Sequence, residues 1–212
     1  TTETDGLELA WGNYPAYIAA TERIVSQPND FFRALARGVD FAANIYGGVD
    51  FALAFGGNEM PGYHTGPGCH LGYLTGARHS HLDSAGYSLD QKAAVKGEGL
   101  TPQGVAKALV EEERWRQVLT SLVICLFARG MYTAEVVLQA LAAAGFQWSE
   151  QDLARLGGDV LRRKYDFKQR EGFDLAELRI PRRILETTTQ LGKIDETFMR
   201  QAIQAYGQAL RE

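Results

Sequence analysis

The sequence is short of cysteine, of basic charge and of long apolar runs, and each shortage excludes a class of protein. Its two cysteines, Cys69 and Cys125, lie far apart in unlike surroundings. They offer no disulfide framework and match a reducing, cytoplasmic compartment better than secretion. No apolar run approaches the roughly 20 residues that a bilayer span needs, so no membrane segment is expected. The polar start Thr-Thr-Glu-Thr-Asp lacks the charged-then-apolar order of a signal peptide. A formal net charge of −4 gives a nucleic-acid backbone no footing. No repeat and no low-complexity segment is present. The chain opens at Thr1, so processing, or a longer parent from which it was cut, is expected.

What remains is a globular composition, 45% apolar and 23% charged over 212 residues. A chain of this length can remove roughly 70% of its unfolded surface from water without staples.

Helix signals dominate. From Asn13, Tyr14, Tyr17, Ile18, Ile24 and Val25 recur at helical spacing until Ser26-Gln27-Pro28. Asn29 or Asp30 can cap a second helix, with Phe31, Phe32, Leu35, Ala36, Val39, Ala42 and Ala43 as its stripe, ending at Gly47-Gly48. The two predict a helical hairpin. Residues Phe51 to Phe55 read as a short buried strand or a loop. Residues 56–99 hold many glycines and all four histidines with almost no helical period, and predict a long, ordered, irregular loop packed on the helices. Thr101-Pro102 starts a helix whose pattern runs through Val105, Leu109, Trp115, Leu119, Leu122 and Phe127 to Gly130. Thr133 caps a helix closing at Gly145, Ser149 with Asp152 forms a capping box, and Asp195 caps a last helix. The expected fold is mainly α, with residues 1–99 as hairpin plus Gly/Pro/His-rich loop and 100–212 as a C-terminal helical domain.

The residues able to carry chemistry concentrate in that loop. His64, His70, His79 and His81, with Cys69 and Asp83 among them, admit three readings: a metal site, loop histidines bonded to backbone carbonyls, or one catalytic histidine among structural ones. Glu59, where the chain must turn before Pro61, is a candidate acid or a solvated surface group. Cys125, placed by the pattern at the apolar centre of a long helix, is a buried small hydrophobe or one ligand of a cluster completed elsewhere. Glu111-Glu112-Glu113 and Arg162-Arg163-Lys164 read as solvated faces. Trp11, Trp115 and Trp148 read as core.

Longer runs are more specific. Gly57-Asn58-Glu59-Met60-Pro61-Gly62-Tyr63, Leu71-Gly72-Tyr73-Leu74-Thr75 and Arg78-His79-Ser80-His81-Leu82 resemble the Gly-x-Glu-x-Pro-x-Tyr, Gly-Tyr-x-Thr and Arg-Gly-x-His-Leu run of the aldehyde:ferredoxin oxidoreductases, the tungsten- or molybdenum-pterin enzymes. Gly6-Leu7-Glu8-Leu9-Ala10-Trp11-Gly12-Asn13 is similar to the family's segment before its helical domains. Ser121-Leu122-Val123-Ile124-Cys125-Leu126-Phe127 resembles its Asp-Ser-Leu-x-x-Cys-x-Phe motif. Tyr165 to Phe173 and Ile180-Pro181 are similar to its last domain. The likeness is collinear over nearly the whole chain.

The resemblance implies the two C-terminal helical domains of such an enzyme. In the family, the cysteine at the place of Cys125 is the fourth ligand of a 4Fe-4S cluster, and the histidine at the place of His81 lies beside the metal-pterin and assists proton transfer. The other cluster cysteines and the pterin-binding domain are N-terminal to the matched region. Thr120 stands where the family usually has an aspartate bonding the pterin, and His79-Ser80 replaces Gly and a small residue. Implied partners are an N-terminal pterin-binding domain or subunit, ferredoxin, an aldehyde substrate and a second copy in a homodimer. The implied function is oxidation of an aldehyde to a carboxylic acid, with electrons leaving through the cluster. The rivals are a stand-alone, non-catalytic helical subunit and a hydrolase using a metal held by the His64–His81 cluster.

Overall fold

A computed structural model describes residues 6–212; the polar start, residues 1–5, lies outside the described residues. The chain is mostly helical, as its periodicity indicated. It divides into two compact units, Thr1–Glu59 and Met60–Glu212, so the boundary expected after residue 99 falls inside the second.

In the first unit, Asn13 caps α1 (Tyr14–Ser26) by accepting the Ala16 N–H, and Asn29 caps α2 (Asp30–Ala36) by accepting the Phe32 N–H at 3.0 Å. The single helix expected from Asn29 to Gly47 is two. Arg37 leaves the helical basin and Gly38 takes φ +99, which an L side chain rarely adopts, before α3 (Val39–Tyr46) begins. Phe31 fastens the pair, its ring edge-on to both Phe32 and Tyr46 at 5.4 and 5.2 Å. The Phe51 to Phe55 stretch is a loop ending in strand β1 (Ala54–Phe55). β1 pairs antiparallel with β2 (Asn58–Glu59), Phe55 opposite Asn58, through Gly56-Gly57 at positive φ.

The loop expected over residues 56–99 is mainly helical: α4 (Pro67–Thr75), α5 (His81–Ser84) and α6 (Gly86–Lys96). Its signals are non-local. No residue before α4 caps it; the Asp90 carboxylate, brought back by α6, accepts the Gly68 and Cys69 N–H groups at 2.9 and 2.8 Å and the Thr65 hydroxyl at 3.0 Å. From Gly68 to Thr75 every residue of α4 is buried, so it has no polar face and no amphipathic period. Its glycines serve approach rather than turning: a Cβ on Gly86 would lie 2.0 Å from the Gly68 carbonyl oxygen where α4 and α6 cross.

Around α7 (Pro102–Ser121), capped by Thr101, pack α4, α5, α9 (Glu150–Arg170) and α11 (Glu196–Ala209). α8 (Ala134–Ala143) lies on α9, and Val118, Leu119, Val137 and Leu153 form a core cluster with the half-buried Trp115 against it. Full burial of one such side chain contributes about 2 kcal/mol. The caps at Thr133, Ser149 with Asp152, and Asp195 are those expected. α10 (Arg182–Glu186) leads to a hairpin of β3 (Thr188–Thr189) and β4 (Gly192–Lys193).

Three further expectations are corrected. α7 stops at Ser121, not Gly130: the Thr120 and Ser121 hydroxyls bond back to the Arg116 and Gln117 carbonyls at 2.7 and 2.8 Å, and Val123 takes φ +58. Cys125 therefore leaves the helix and is exposed. Trp11 is fully exposed and Trp148 is 39% exposed; neither is core. Arg162 and Arg163 are solvated, but Lys164 donates to Gln117 Oε1 at 2.6 Å. Among the described residues no helix is long and apolar enough to cross a membrane.

Candidate functional site

His81 opens α5 at the end of a turn, residues 75–80, whose peptide groups are held by side chains. The Thr75 carbonyl accepts the Tyr165 hydroxyl, the Gly76 carbonyl accepts Lys168 Nζ at 3.0 Å, and the Ala77 N–H donates to Glu113 Oε1 at 2.8 Å. Asp83, fully buried, accepts the Arg78 and Ser80 N–H groups at 2.9 and 3.1 Å and pairs with Arg78 Nε at 2.8 Å. Ser80 closes a capping box with Asp83 on α5. His79, at φ +54, donates from Nδ1 to the Tyr73 carbonyl at 2.8 Å. Hydrogen bonds to charged partners contribute about 1.5–3 kcal/mol each, which fixes the position of His81.

Glu113 corrects the reading of its run as solvated, since it is completely buried. Its Oε2 accepts the Tyr206 hydroxyl at 2.5 Å, and Tyr206 lies 3.2 Å from the Tyr165 hydroxyl, so α7, α11 and α9 meet in one chain of polar groups ending on the turn. Burial, then the nearby Asp83 carboxylate, pushes Glu113 up to about 7. Burial brings Lys168 down to about 8. The signal for Glu113 was its phase: it continues the buried stripe of Val105 and Leu109 at steps of four.

His81 itself is half-buried beside two tyrosines. The Tyr63 ring lies 5.4 Å from its imidazole and stacks on Tyr87 at 4.8 Å, while Arg129 donates to the Tyr87 hydroxyl at 3.3 Å. Behind it, Arg116 Nη1 donates to the Leu82 carbonyl at 3.1 Å. Burial first, and then the Arg116 guanidinium, lower the His81 pKa, so the imidazole is neutral at pH 7 and able to accept a proton. Tyr63 is the tyrosine that ends the Gly57–Tyr63 run, whereas Tyr87, Arg116 and Arg129 carry no distinguishing spacing in the sequence.

The remaining histidines divide between two structural roles. His64 donates from Nε2 to the Thr187 carbonyl at 3.1 Å, leaving its Nδ1 to accept from His70 Nε2 at 2.8 Å. Burial, then His64, holds His70 down to about 3. Cys69 is buried, its thiol donating to the Tyr63 carbonyl, and burial pushes it up to about 12. No group of three or more His, Cys, Asp or Glu among the described residues is placed to hold a metal ion. The histidine cluster thus resolves into carbonyl anchors, a buried pair and His81.

Of the other candidates, Thr120 is joined to the site through Arg116, whose carbonyl accepts its hydroxyl while its guanidinium reaches Leu82. Cys125 sits beyond Val123, exposed, on a segment where Val123 and Phe127 are each 92% exposed. No hydrogen bond or ring contact among the described residues joins it to His81. Glu59 is exposed on β2, in the first unit.

A family model described as aldehyde ferredoxin oxidoreductase, domains 2 and 3, matches residues 1–210. No curated protein and no solved structure matches the chain.

Proposed function

The chain belongs to the aldehyde ferredoxin oxidoreductase family, and we propose that it is the helical portion of an enzyme that interconverts an aldehyde and its carboxylic acid. The observation carrying this reading is His81: a neutral imidazole, lined by Tyr63 and Tyr87, on a turn held by three side chains from two other helices, α7 and α9. A group so placed can take the proton released when water adds to an aldehyde carbonyl, and its rigidity spares the reorganisation a mobile base would require. Glu59, exposed on β2 of the first unit, is a candidate acid that we assign on its own, apart from His81.

A tungsten- or molybdenum-pterin would supply the two-electron chemistry, and a 4Fe-4S cluster the one-electron steps toward ferredoxin. Cys125 suits the cluster: an exposed thiol, presented by a backbone turn at Val123 that a β-branched residue rarely adopts, can complete a ligand set whose other thiolates come from an N-terminal domain or subunit. Thr120 does not suit the aspartate's part. It carries no charge and its proton is committed to the Arg116 carbonyl, so no pterin contact is derived from it. That same departure favours the second reading, a non-catalytic subunit of the same family. A reducing cytoplasm agrees with one exposed and one buried free thiol.

The test is His81→Ala in the complete enzyme, this chain together with its pterin-binding portion, followed by aldehyde-dependent dye reduction. The expected loss in kcat/KM is about 10²–10⁴ with metal content unchanged. Full activity would remove His81 from the chemistry and favour the non-catalytic reading.

A further inference from the structure

At the C-terminal end of α5 lies a cleft of about 420 Å³ formed by α5, α6 and α7 and lined also by Arg129 and Gly130. Three cations line it from three segments: Lys92 on α6, Arg116 on α7, and Arg129. The one carboxylate among its lining residues is Glu112. Arg116 is only 4% exposed, and its five N–H donors are incompletely used. Nε donates to Glu112 at 2.8 Å and Nη1 to the Leu82 carbonyl at 3.1 Å, while Nη2 is buried and has no hydrogen-bond partner. A buried guanidinium normally has its donors satisfied, because an unsatisfied charged donor is costly. Lys92 makes no ion pair among the described residues. Glu112 offsets the charge of Arg116 and leaves that of Lys92 uncompensated, and the Leu109 and Trp115 walls weaken the screening of any anion that enters.

We propose that this cleft is an oxyanion-binding site, taking a carboxylate or phosphate group, with Arg116 as the buried contact and Lys92 and Arg129 as the rim. Arg116 already orders the Leu82 carbonyl next to His81, so the anion would bind beside the candidate catalytic group without touching it. The proposal does not depend on the redox reading, because the cleft is formed within this chain.

The whole chain is titrated with inorganic phosphate and, separately, with acetate, ionic strength being held constant with chloride. Binding is read by calorimetry and by amide and Arg116 Nε–H chemical shifts. Saturable binding is expected, with shifts confined to α5, α6 and the Arg116 guanidinium. Tighter phosphate points to a phosphate monoester as the physiological ligand, and tighter acetate to a carboxylate. Lys92→Gln, an exposed residue whose replacement leaves the core untouched, should weaken binding about twofold to fivefold. Arg116→Met should weaken it by about tenfold or more. If Arg116→Met fails to fold, the Lys92 result decides alone. Absence of saturation on the order of 50 mM for both anions, or equal affinity in wild type and Lys92→Gln, overturns the proposal.

Discussion

Replacing Glu113 by glutamine separates the charge of the buried polar chain from its shape. The amide has the same volume and can keep every bond: its oxygen accepts the Ala77 N–H, and its NH2 donates to the Tyr206 oxygen. The Tyr206 proton then turns to Tyr165, and the Tyr165 proton stays on the Thr75 carbonyl. What disappears is a carboxylate pushed from 4.5 up to about 7 by burial and by Asp83. An acid whose folded value is raised binds its proton more tightly when folded. Its effect on stability is therefore nil below the unfolded value and grows more unfavourable as pH rises from 4.5 to 7, then levels off. Between pH 5 and pH 8 this group alone removes about 2 kcal/mol from the wild type. Relative to wild type, Glu113→Gln should thus gain about 2 kcal/mol of stability between those two pH values, measured by urea unfolding with circular dichroism. The buried histidines act in both proteins and cancel in the difference. A difference that stays constant within about 0.5 kcal/mol would refute the assignment of this titration to Glu113.

Two adjacent glycines of α9 should respond oppositely to alanine. A Cβ on Gly157 would meet the Arg114 carbonyl oxygen at 2.3 Å and force α7 and α9 apart, at a cost of about 3 kcal/mol, whereas one on Gly158 meets nothing within 4 Å and should add about 0.5–1 kcal/mol. Thermal melts of both variants check the facing of α9, and a reversed order would show it wrong. Among the thiols, Cys125 should react at once with a disulfide reagent in the native chain and Cys69 only after denaturation, because Cys69 is buried with its pKa pushed up to about 12. Two fast thiols in the folded chain would contradict that environment.

Where a signal is local, the sequence was a sufficient guide. Asn13, Thr101, Thr133, Ser149 with Asp152, and Asp195 each cap the helix that follows them, since a cap and its amides lie within three residues. Where the partner is distant, the same reading failed. α4 reads as loop in the sequence because its capping carboxylate, Asp90, lies more than twenty positions downstream and its glycines admit α6 rather than bend the chain. Glu113 groups with its two charged neighbours by composition, although its phase belongs to the apolar stripe beside it. The pattern places Cys125 in a helix interior because apolar residues continue at the right spacing, while Val123, at positive φ just past the helix end, has no propensity to mark the break. Motif resemblance reached His81 and Cys125, but not Arg116, whose importance comes from what surrounds it.

Apart from Asp83, the side chains that hold the turn before His81 come from later in the chain. Ala77 waits for a residue 36 positions on, Thr75 for one 90 on, and Gly76 for one 92 on. No locally folded intermediate can therefore display a finished site. At ribosomal speeds of 5–20 residues per second, the segment bearing His81 would stand exposed for on the order of 5–20 s before α9 is made. Assembly of this region is a closing event, completed only when later helices return to the first ones of their unit, and a chain interrupted before α9 would lack Tyr165 and Lys168, two of the four side chains that hold the turn, rather than a peripheral helix.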